Sequence, residues 1–142
     1  MIGERIKDIR DEKNITQEEL ANILGVTRAH CSHWENETKL MPLKKMNYLC
    51  NYFNINLDYL IGKTRNDSGN GFHELDSKVI GKNLKKLRED NSITQNDLAK
   101  LLNTTQSTIS AYESGKTVIL TAFAIQIVNK FNISLDWLCG RK

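Results

Sequence analysis

The sequence lacks the residue patterns on which most enzymes, secreted proteins and metalloproteins depend. Its three cysteines are an odd number with no CxxC spacing, which argues against a disulfide framework or a zinc knuckle. It contains no nucleophile motif, phosphate-binding loop, histidine-rich cluster or paired-acid pocket. We therefore expect no enzymatic activity, no metal and no other cofactor.

Long apolar runs are missing as well. The longest mostly apolar stretch, residues 118–128, is too short to cross a bilayer and is interrupted by Thr121 and Gln126. The N-terminus shows no signal-peptide pattern. The sequence therefore predicts a soluble cytoplasmic protein with no membrane partner.

A large excess of charge is also absent. The formal net charge of the 142 residues is only +3, which permits nucleic-acid binding without requiring it. The charge is uneven, because residues 1–62 carry eight basic and nine acidic side chains whereas residues 79–142 carry nine and five. We expect the second half of the chain to be the stronger partner of an anionic ligand.

The sequence does contain one pattern twice, 78 residues apart. Residues 2–62 align with residues 80–140 without a gap, and 21 of the 61 positions are identical. Each copy has a complete set of apolar faces, so the repeat predicts an all-α protein of two five-helix domains in tandem rather than a solenoid. We place the domains at residues 1–62 and 77–142. Residues 63–76, rich in Gly, Asn, Asp and Ser, are predicted to form a linker.

The centre of each copy, residues 16–35 and 94–113, has the pattern of a helix-turn-helix. In the first copy Thr16 and Glu19 have the spacing of a capping box, which begins a helix. Gly25 is suited to the left-handed conformation that ends it. A second helix follows after a short polar turn, as in motifs that hold a helix in the DNA major groove.

The second helix of each motif has a polar face that points away from its core. In the first copy Cys31, Trp34 and Glu35 share the inward face. Small polar and basic side chains on the other face suit base edges and phosphates. The outward residues are Arg28, Ala29, Ser32, His33 and Asn36 in the first copy and Gln106, Ser107, Ser110, Ala111 and Ser114 in the second.

Three metal-ligand residues, His30, Cys31 and His33, are close together in the first of these helices. Because Cys31 faces inward and His33 faces outward, the three side chains do not converge on one ligand position. The helix therefore predicts no metal site.

Both copies resemble the lambda-repressor-like, Cro-type helix-turn-helix domain of phage repressors and bacterial regulators. The motifs are TQxxLAxxLxVTxxxxSxWE in the first copy and TQxxLAxxLxxTxxxISxYExGK in the second, and the resemblance covers nearly everything outside the linker. It implies a sequence-specific regulator of transcription, most simply a repressor, that binds double-stranded DNA. It also implies a bacterial or phage-derived, nucleoid-associated protein.

The resemblance implies roles for individual residues. Gln17 and Gln95 open the first helix of each motif and are implied to bind a phosphate. The pairs Arg10–Glu35 and Arg88–Glu113 are implied to tie the first helix of each domain to the recognition helix. The remaining implied DNA contacts are the outward residues named above together with Thr27, Thr105 and Lys116.

The first copy departs from the family pattern after the recognition helix. Glu37 stands where the second copy has Gly115. An acid at this position is expected to lie near the phosphate backbone, so we predict weaker DNA binding by the first domain.

An additional apolar patch around the fourth helix of the second copy predicts a homodimer contact. Its residues are Val118, Ile119, Phe123 and Ile125, which match Leu40, Met41, Lys45 and Asn47 of the first copy. An unrequired apolar patch usually marks an interface, and related repressors commonly dimerise through this region. The patch could instead fold against the linker residues Phe72 and Leu75 or against the other domain.

Two other functions are compatible with the same sequence. One is an antitoxin-like DNA binder that also masks a protein partner, and the other is a protein-interaction module that binds no DNA. A steep loss of DNA affinity with increasing salt would separate the DNA binders from the last of these.

Overall fold

The computed structural model describes all 142 residues, which form two compact units, Met1–Phe72 and His73–Lys142. All ten secondary-structure elements are helices, which confirms the predicted all-α class with two five-helix domains. None of them has both the length and the apolar character needed to cross a bilayer. The first unit contains α1 (Ile2–Lys13), α2 (Gln17–Leu24), α3 (Arg28–Glu35), α4 (Leu43–Phe53) and α5 (Leu57–Leu60). The second contains α6 (Ser77–Asp90), α7 (Gln95–Leu101), α8 (Gln106–Glu113), α9 (Thr121–Phe131) and α10 (Leu135–Leu138).

Each unit packs around the apolar faces that the sequence pattern predicts. In α1 the isoleucines Ile2, Ile6 and Ile9 recur every three to four residues, and all three are buried. Leu20 and Met46 are buried with them from α2 and α4. The second unit repeats this arrangement. In both units, therefore, the helix-turn-helix packs against a core built from matching residues.

The capping boxes set the start of α2 and α7. Glu19 N donates to Thr16 Oγ1 at 3.1 Å, and Thr16 N donates to Glu19 Oε1 at 3.2 Å. In the second unit the backbone N–H of Thr94 donates to the carboxylate of Asp97, and this bond lowers the pKa of Asp97. Because the folded state favours the ionised carboxylate, this cap stabilises the fold at pH values above the ordinary carboxyl pKa. The stabilisation is lost as the pH falls from that value through the lowered pKa of the folded state.

A glycine in the first helix of each unit allows that helix to cross the end of the recognition helix closely. A Cβ at Gly81 would collide with the backbone carbonyl oxygens of Tyr112 and Glu113, and a Cβ at Gly3 would collide with that of Glu35. Any larger residue would therefore push α6 away from α8, or α1 away from α3. The repeat places glycine at both matching positions, but the sequence alone did not show why.

The first part of the predicted linker is bound to the first unit. Asn56 Nδ2 donates to Asn66 O and to Ser68 O, both at 2.8 Å. The stretch between this bound segment and α6 is residues 70–76, about half of the predicted linker. The part of residues 63–76 that can serve as a linker is therefore shorter than the composition of this stretch suggests.

These two hydrogen bonds predict how the chain is digested by trypsin. Asn56→Ser introduces the residue of the second unit, where Ser134 caps α10 by accepting from Trp137 N at 3.1 Å. The serine keeps the cap but loses both amide donations, each worth about 1 kcal/mol. We expect cleavage after Arg65 to become roughly tenfold faster, with little change in Tm. Mass spectrometry of timed digests measures this, and an unchanged rate would show that Asn56 does not secure the segment.

Candidate nucleic-acid interface

The recognition helix of the second unit, α8, is fixed on one side and exposed on the other. Ile109 and Tyr112 are buried in the core. On the outer side Ala111 is half-buried and its neighbours are exposed. The residues that line an open depression of about 400 Å³ on this side are Gln106, Ser107, Ser110, Ala111, Ser114 and Lys116. This face is polar and accessible over its whole length.

A partly buried ion pair anchors α8 to α6. Arg88 Nε lies 2.7 Å from Glu113 Oε2, and Arg88 Nη2 donates to Glu113 Oε1 at 3.0 Å. Arg88 Nη1 also donates to Ile93 O at 3.0 Å. The hydrogen bonds with Glu113 raise the pKa of Arg88, so the guanidinium stays charged. The first unit has the same arrangement, with Arg10 Nε 2.6 Å from Glu35 Oε2.

Gln95 connects this ion pair to the start of α8. Its Nε2 donates to Glu113 Oε1 at 3.1 Å, and its Oε1 accepts from Gln106 Nε2 at 3.5 Å. The last bond is long, but it directs the Gln106 amide towards the N-terminal end of the exposed face. In the first unit Gln17 Nε2 donates to Glu35 Oε1 at 3.3 Å.

In the first unit α3 has a corresponding outer face, but its side chains differ from those of α8. Of the DNA contacts predicted in α3 and its flanking residues, Ser32 and His33 are half-buried and the others are exposed. The exposed ones are Thr27, Arg28, Ala29 and Asn36. A cation, Arg28, therefore occupies the position that Gln106 has in α8, so the two units offer different side chains to a ligand.

The histidines of α3 contact the adjoining turns. His30 Nδ1 lies 2.8 Å from Thr27 Oγ1, and His33 Nδ1 lies 2.7 Å from Thr38 Oγ1. Cys31 is buried on the opposite side, and burial raises the pKa of its thiol. The raised pKa keeps this thiol protonated and unreactive near neutral pH.

Glu37 has the same backbone conformation as the glycine that it replaces. Its φ is 61° and that of Gly115 is 80°, both left-handed. In the second unit a Cβ at Gly115 would crowd the backbone of Lys78. In the first unit the Glu37 carboxylate lies 2.9 Å from the Met1 amine, which partly offsets its charge. Glu37 therefore keeps the backbone turn of Gly115 and adds a carboxylate whose side chain is 54% exposed.

The structure corrects one member of the predicted dimer patch. Ile119 is only 2% exposed and belongs to the core, as does the matching Met41, so the prediction that Ile119 lies at an interface is wrong. Phe123 is half-buried, and its ring centroid lies 6.4 Å from that of Tyr112. Val118 remains exposed at 40%, next to Leu120 at 59%, which the prediction omitted. Comparing the two repeats identifies which residues are apolar. It does not show whether each side chain points into the core or towards solvent.

A second ion pair with little exposure to solvent, in the second unit, escaped the sequence analysis. The side chains of Asp136 and Arg141 are both buried, with Arg141 Nε 3.6 Å from Asp136 Oδ1. The matching residues of the first unit are Asp58 and Lys63, and Lys63 is exposed. The identity of Asp58 and Asp136 in the repeat was the available signal. This pair lies in the fold around α10 and not on the exposed face of α8.

Comparison with known protein families identifies the family to which this fold belongs. A family described as a helix-turn-helix domain matches residues 3–64 and again residues 81–141. The chain belongs to the helix-turn-helix domain family. It is a helix-turn-helix transcriptional regulator with two such domains in tandem, as the repeat predicts.

Three relatives illustrate the family. The chain is 30% identical over 89 residues to the uncharacterized HTH-type transcriptional regulator YobD of Bacillus subtilis, covering 63% of this chain and 72% of that protein. It is 29% identical over 92 residues to the HTH-type transcriptional regulator ImmR of the same organism, covering 65% and 72%. It is 32% identical over 65 residues to Antitoxin PezA of Streptococcus pneumoniae, covering 46% and 41%.

Proposed function

We propose that this regulator is a repressor that reads double-stranded DNA mainly with α8 and more weakly with α3. The observation that carries the proposal is the hydrogen-bonded series from buried Glu113 through Gln95 to Gln106. It holds an amide at the start of the exposed helix, and a glutamine amide can pair with both N6 and N7 of adenine in the major groove. Gln106 is exposed, and its 3.5 Å hydrogen bond to Gln95 Oε1 favours this orientation of the amide before DNA binds.

The surroundings of Gln106 suit the phosphates on either side of a groove. Ser107 and Ser110 continue the exposed face along α8, and Lys116 follows its end. Hydroxyl and ammonium groups commonly bind phosphate oxygens and fix the register of the helix on the duplex. In this proposal Thr105 and Gln95 supply contacts at the other end.

We propose that the first unit contributes less to DNA binding than the second. Arg28 can bind guanine or a phosphate, and Gln17 is held against Glu35 as Gln95 is against Glu113. Residues 1–62 nevertheless carry one more acid than base, whereas residues 79–142 have four more bases than acids. Long-range attraction to DNA therefore favours the second unit.

The proposal is tested by selecting bound duplexes from a random DNA pool and measuring the affinity for the selected site at several salt concentrations. We expect an enriched sequence and an affinity that falls linearly on a log–log plot, because phosphate contacts release counterions. Lowered transcription from a promoter that carries the site would establish repression. No enriched sequence and no salt-dependent binding would favour a protein-interaction module.

An antitoxin is a second candidate, because one relative is named Antitoxin PezA. In that case the chain would bind DNA and also mask a protein partner in the bacterial cytoplasm. Purification of the chain together with the products of neighbouring genes distinguishes the two functions, because an antitoxin should retain a stoichiometric small protein. Neither candidate requires catalysis.

We further propose a homodimer through the exposed part of the apolar patch, Val118 and Leu120, with the half-buried Ile125 of α9. Repressors that form two-fold dimers read two half-sites of one operator. The area that these side chains bury gives only a moderate contact, so DNA is expected to strengthen it.

The dimer proposal predicts the effect of a paired surface change. Val118→Ser with Leu120→Glu should weaken dimerisation at least tenfold and lower operator affinity, while the fold stays intact because both side chains are exposed. Sedimentation equilibrium measures this. Leu40→Ser, at the matching exposed position of the first unit, is the control. If the unmodified chain is monomeric at high concentration, alone and on DNA, the proposed dimer does not exist.

A further inference from the structure

Part of the connection between the two units is bound to the surface of the first unit. We call this segment, residues 64–69, the strap. Asn56 Nδ2 donates to Asn66 O and to Ser68 O, both at 2.8 Å. The oxygen of the same side chain accepts from the backbone of α5 at 2.7 Å and caps that helix. Because this cap fixes the orientation of Asn56, its amide is directed at the middle of the strap.

Two further contacts involve the ends of the strap. Arg5 Nη2 donates to Thr64 O at 3.2 Å, and the Arg5 guanidinium lies 4.2 Å from the centre of the Tyr59 ring. At the other end Gly69 lies so close to Asn54 that a Cβ at Gly69 would collide with it. The strap is therefore bound to the first unit at both ends as well as in the middle.

The five-helix fold does not require the two side chains that donate to the strap. Arg5 corresponds to Asn83 of the second unit, which donates to Trp137 O at 2.9 Å. Asn56 corresponds to Ser134, which caps α10 through its hydroxyl. The second unit forms the same five helices with these smaller residues. The hydrogen bonds to the strap are thus an additional feature of the first unit.

A bound strap shortens the connection between the two units. Residues 70–76 then join the strap to α6, and seven residues span at most about 25 Å. Release of the strap adds six residues and extends the maximum reach by up to about 20 Å. A duplex rises by about 3.4 Å per base pair, so this difference equals roughly six base pairs. It exceeds half of the approximately 34 Å in one helical turn.

We propose that Arg5 and Asn56, by binding the strap, set how many base pairs can separate the sites of α3 and α8 on one duplex. This inference rests on the proposed function, in which both recognition helices read DNA. A short connection keeps the second unit at a high effective concentration once the first has bound, so the chain favours closely spaced sites. At wider separations it has to release the strap and lose three hydrogen bonds, which weakens binding about tenfold or more.

The test compares the full chain with the variant Arg5→Asn, Asn56→Ser, which carries the residues of the second unit. The two sites are identified as the parts of the selected sequence where Arg28→Ala and Gln106→Ala relax the base preference. The probes are duplexes in which these sites are separated by added base pairs, in single steps over about one helical turn. Rotation about the duplex axis affects both proteins alike, so their affinities are compared at each separation.

We expect the two affinity profiles to cross. At the smallest separation the variant should bind roughly two- to threefold more weakly, because a longer flexible connection lowers the effective concentration. At separations beyond the reach of the bound strap, the variant should bind about tenfold more tightly. A matched chain with six Gly and Ser residues inserted after Gly71 lengthens the connection but keeps the strap contacts, and it should give the same profile as the variant.

Three results would overturn the proposal. In the first, the profiles of the unmodified chain and the variant coincide. In the second, the variant loses affinity for a duplex with the α3 site alone, because Arg5 and Asn56 would then act on the fold of the first unit. In the third, no duplex is bound, and the proposed function fails as well. A duplex with the α8 site alone distinguishes these failures, since it stays bound when only the role of the strap is wrong.

Discussion

Glu113→Ala should lower the free energy of unfolding of the second unit by about 3–5 kcal/mol. The Glu113 side chain is only 4% exposed and accepts hydrogen bonds from both Arg88 and Gln95. Its removal leaves the Arg88 guanidinium partly buried without its counter-ion. The destabilisation by an unpaired charge is larger than the net stabilisation by the ion pair, because forming a buried pair also requires desolvation of both groups.

The measurement is urea denaturation, with hydrogen exchange to assign the loss to the second unit. Asp90→Ala is the control, because it removes the Lys86–Asp90 pair, in which both side chains are about 60% exposed (63% and 60%). Such surface pairs contribute less than about 1 kcal/mol. Arg88→Met combined with Glu113→Leu should recover most of the lost stability. If Glu113→Ala costs no more than Asp90→Ala, the ion pair does not stabilise the fold.

The fold was predictable because its signals are local and occur twice. Thr16 and Glu19 begin α2 with bonds between residues three apart, and the spacing of Ile2, Ile6 and Ile9 defines the buried face of α1. A pattern of this kind needs no knowledge of the rest of the chain. Its repetition after 78 residues shows in addition that each half contains a complete fold.

The errors arose where the outcome depends on contacts distant in sequence. Ile119 is apolar in a non-helical connection, and its burial is decided by the path of the chain between α8 and α9. Residues 64–69 have the composition of a linker, yet the donors of Asn56 fix them to the first unit. Composition describes what a segment prefers in isolation, and two hydrogen bonds suffice to override it.

The candidate site was predictable in outline but not in its internal connections. The inward face of Cys31 and Trp34 identified the outward face of α3, since helix geometry relates the two. The link from Glu113 through Gln95 to Gln106 joins α8 and α7 and is visible only in the structure. The first unit has Arg28 at the position of Gln106, so this link to the start of the recognition helix is a difference between the two proposed DNA-binding faces.

Gln106→Ala should weaken binding to the selected DNA site by about 1–3 kcal/mol, or roughly 5- to 150-fold, and should relax the preference at one base pair. The Gln106 amide donates to Gln95 Oε1 at 3.5 Å, so the substitution removes a base contact that this hydrogen bond helps to orient. Binding to a scrambled duplex should change little, because Gln106 carries no charge and non-specific affinity arises from cations near phosphates. Fluorescence anisotropy with both duplexes at one salt concentration measures the two affinities.

Arg28→Ala is the matched variant in the first unit, since residues 28 and 106 correspond in the repeat. If the second unit leads, this change should cost less at the selected site than Gln106→Ala. It should lower the affinity for both duplexes and reduce the slope of log affinity against log salt by about 1 if Arg28 binds a phosphate. The reverse result, with Gln106→Ala silent and Arg28→Ala abolishing specific binding, would make α3 the principal reader. The excess positive charge of residues 79–142 would then serve the approach to DNA rather than recognition of its sequence.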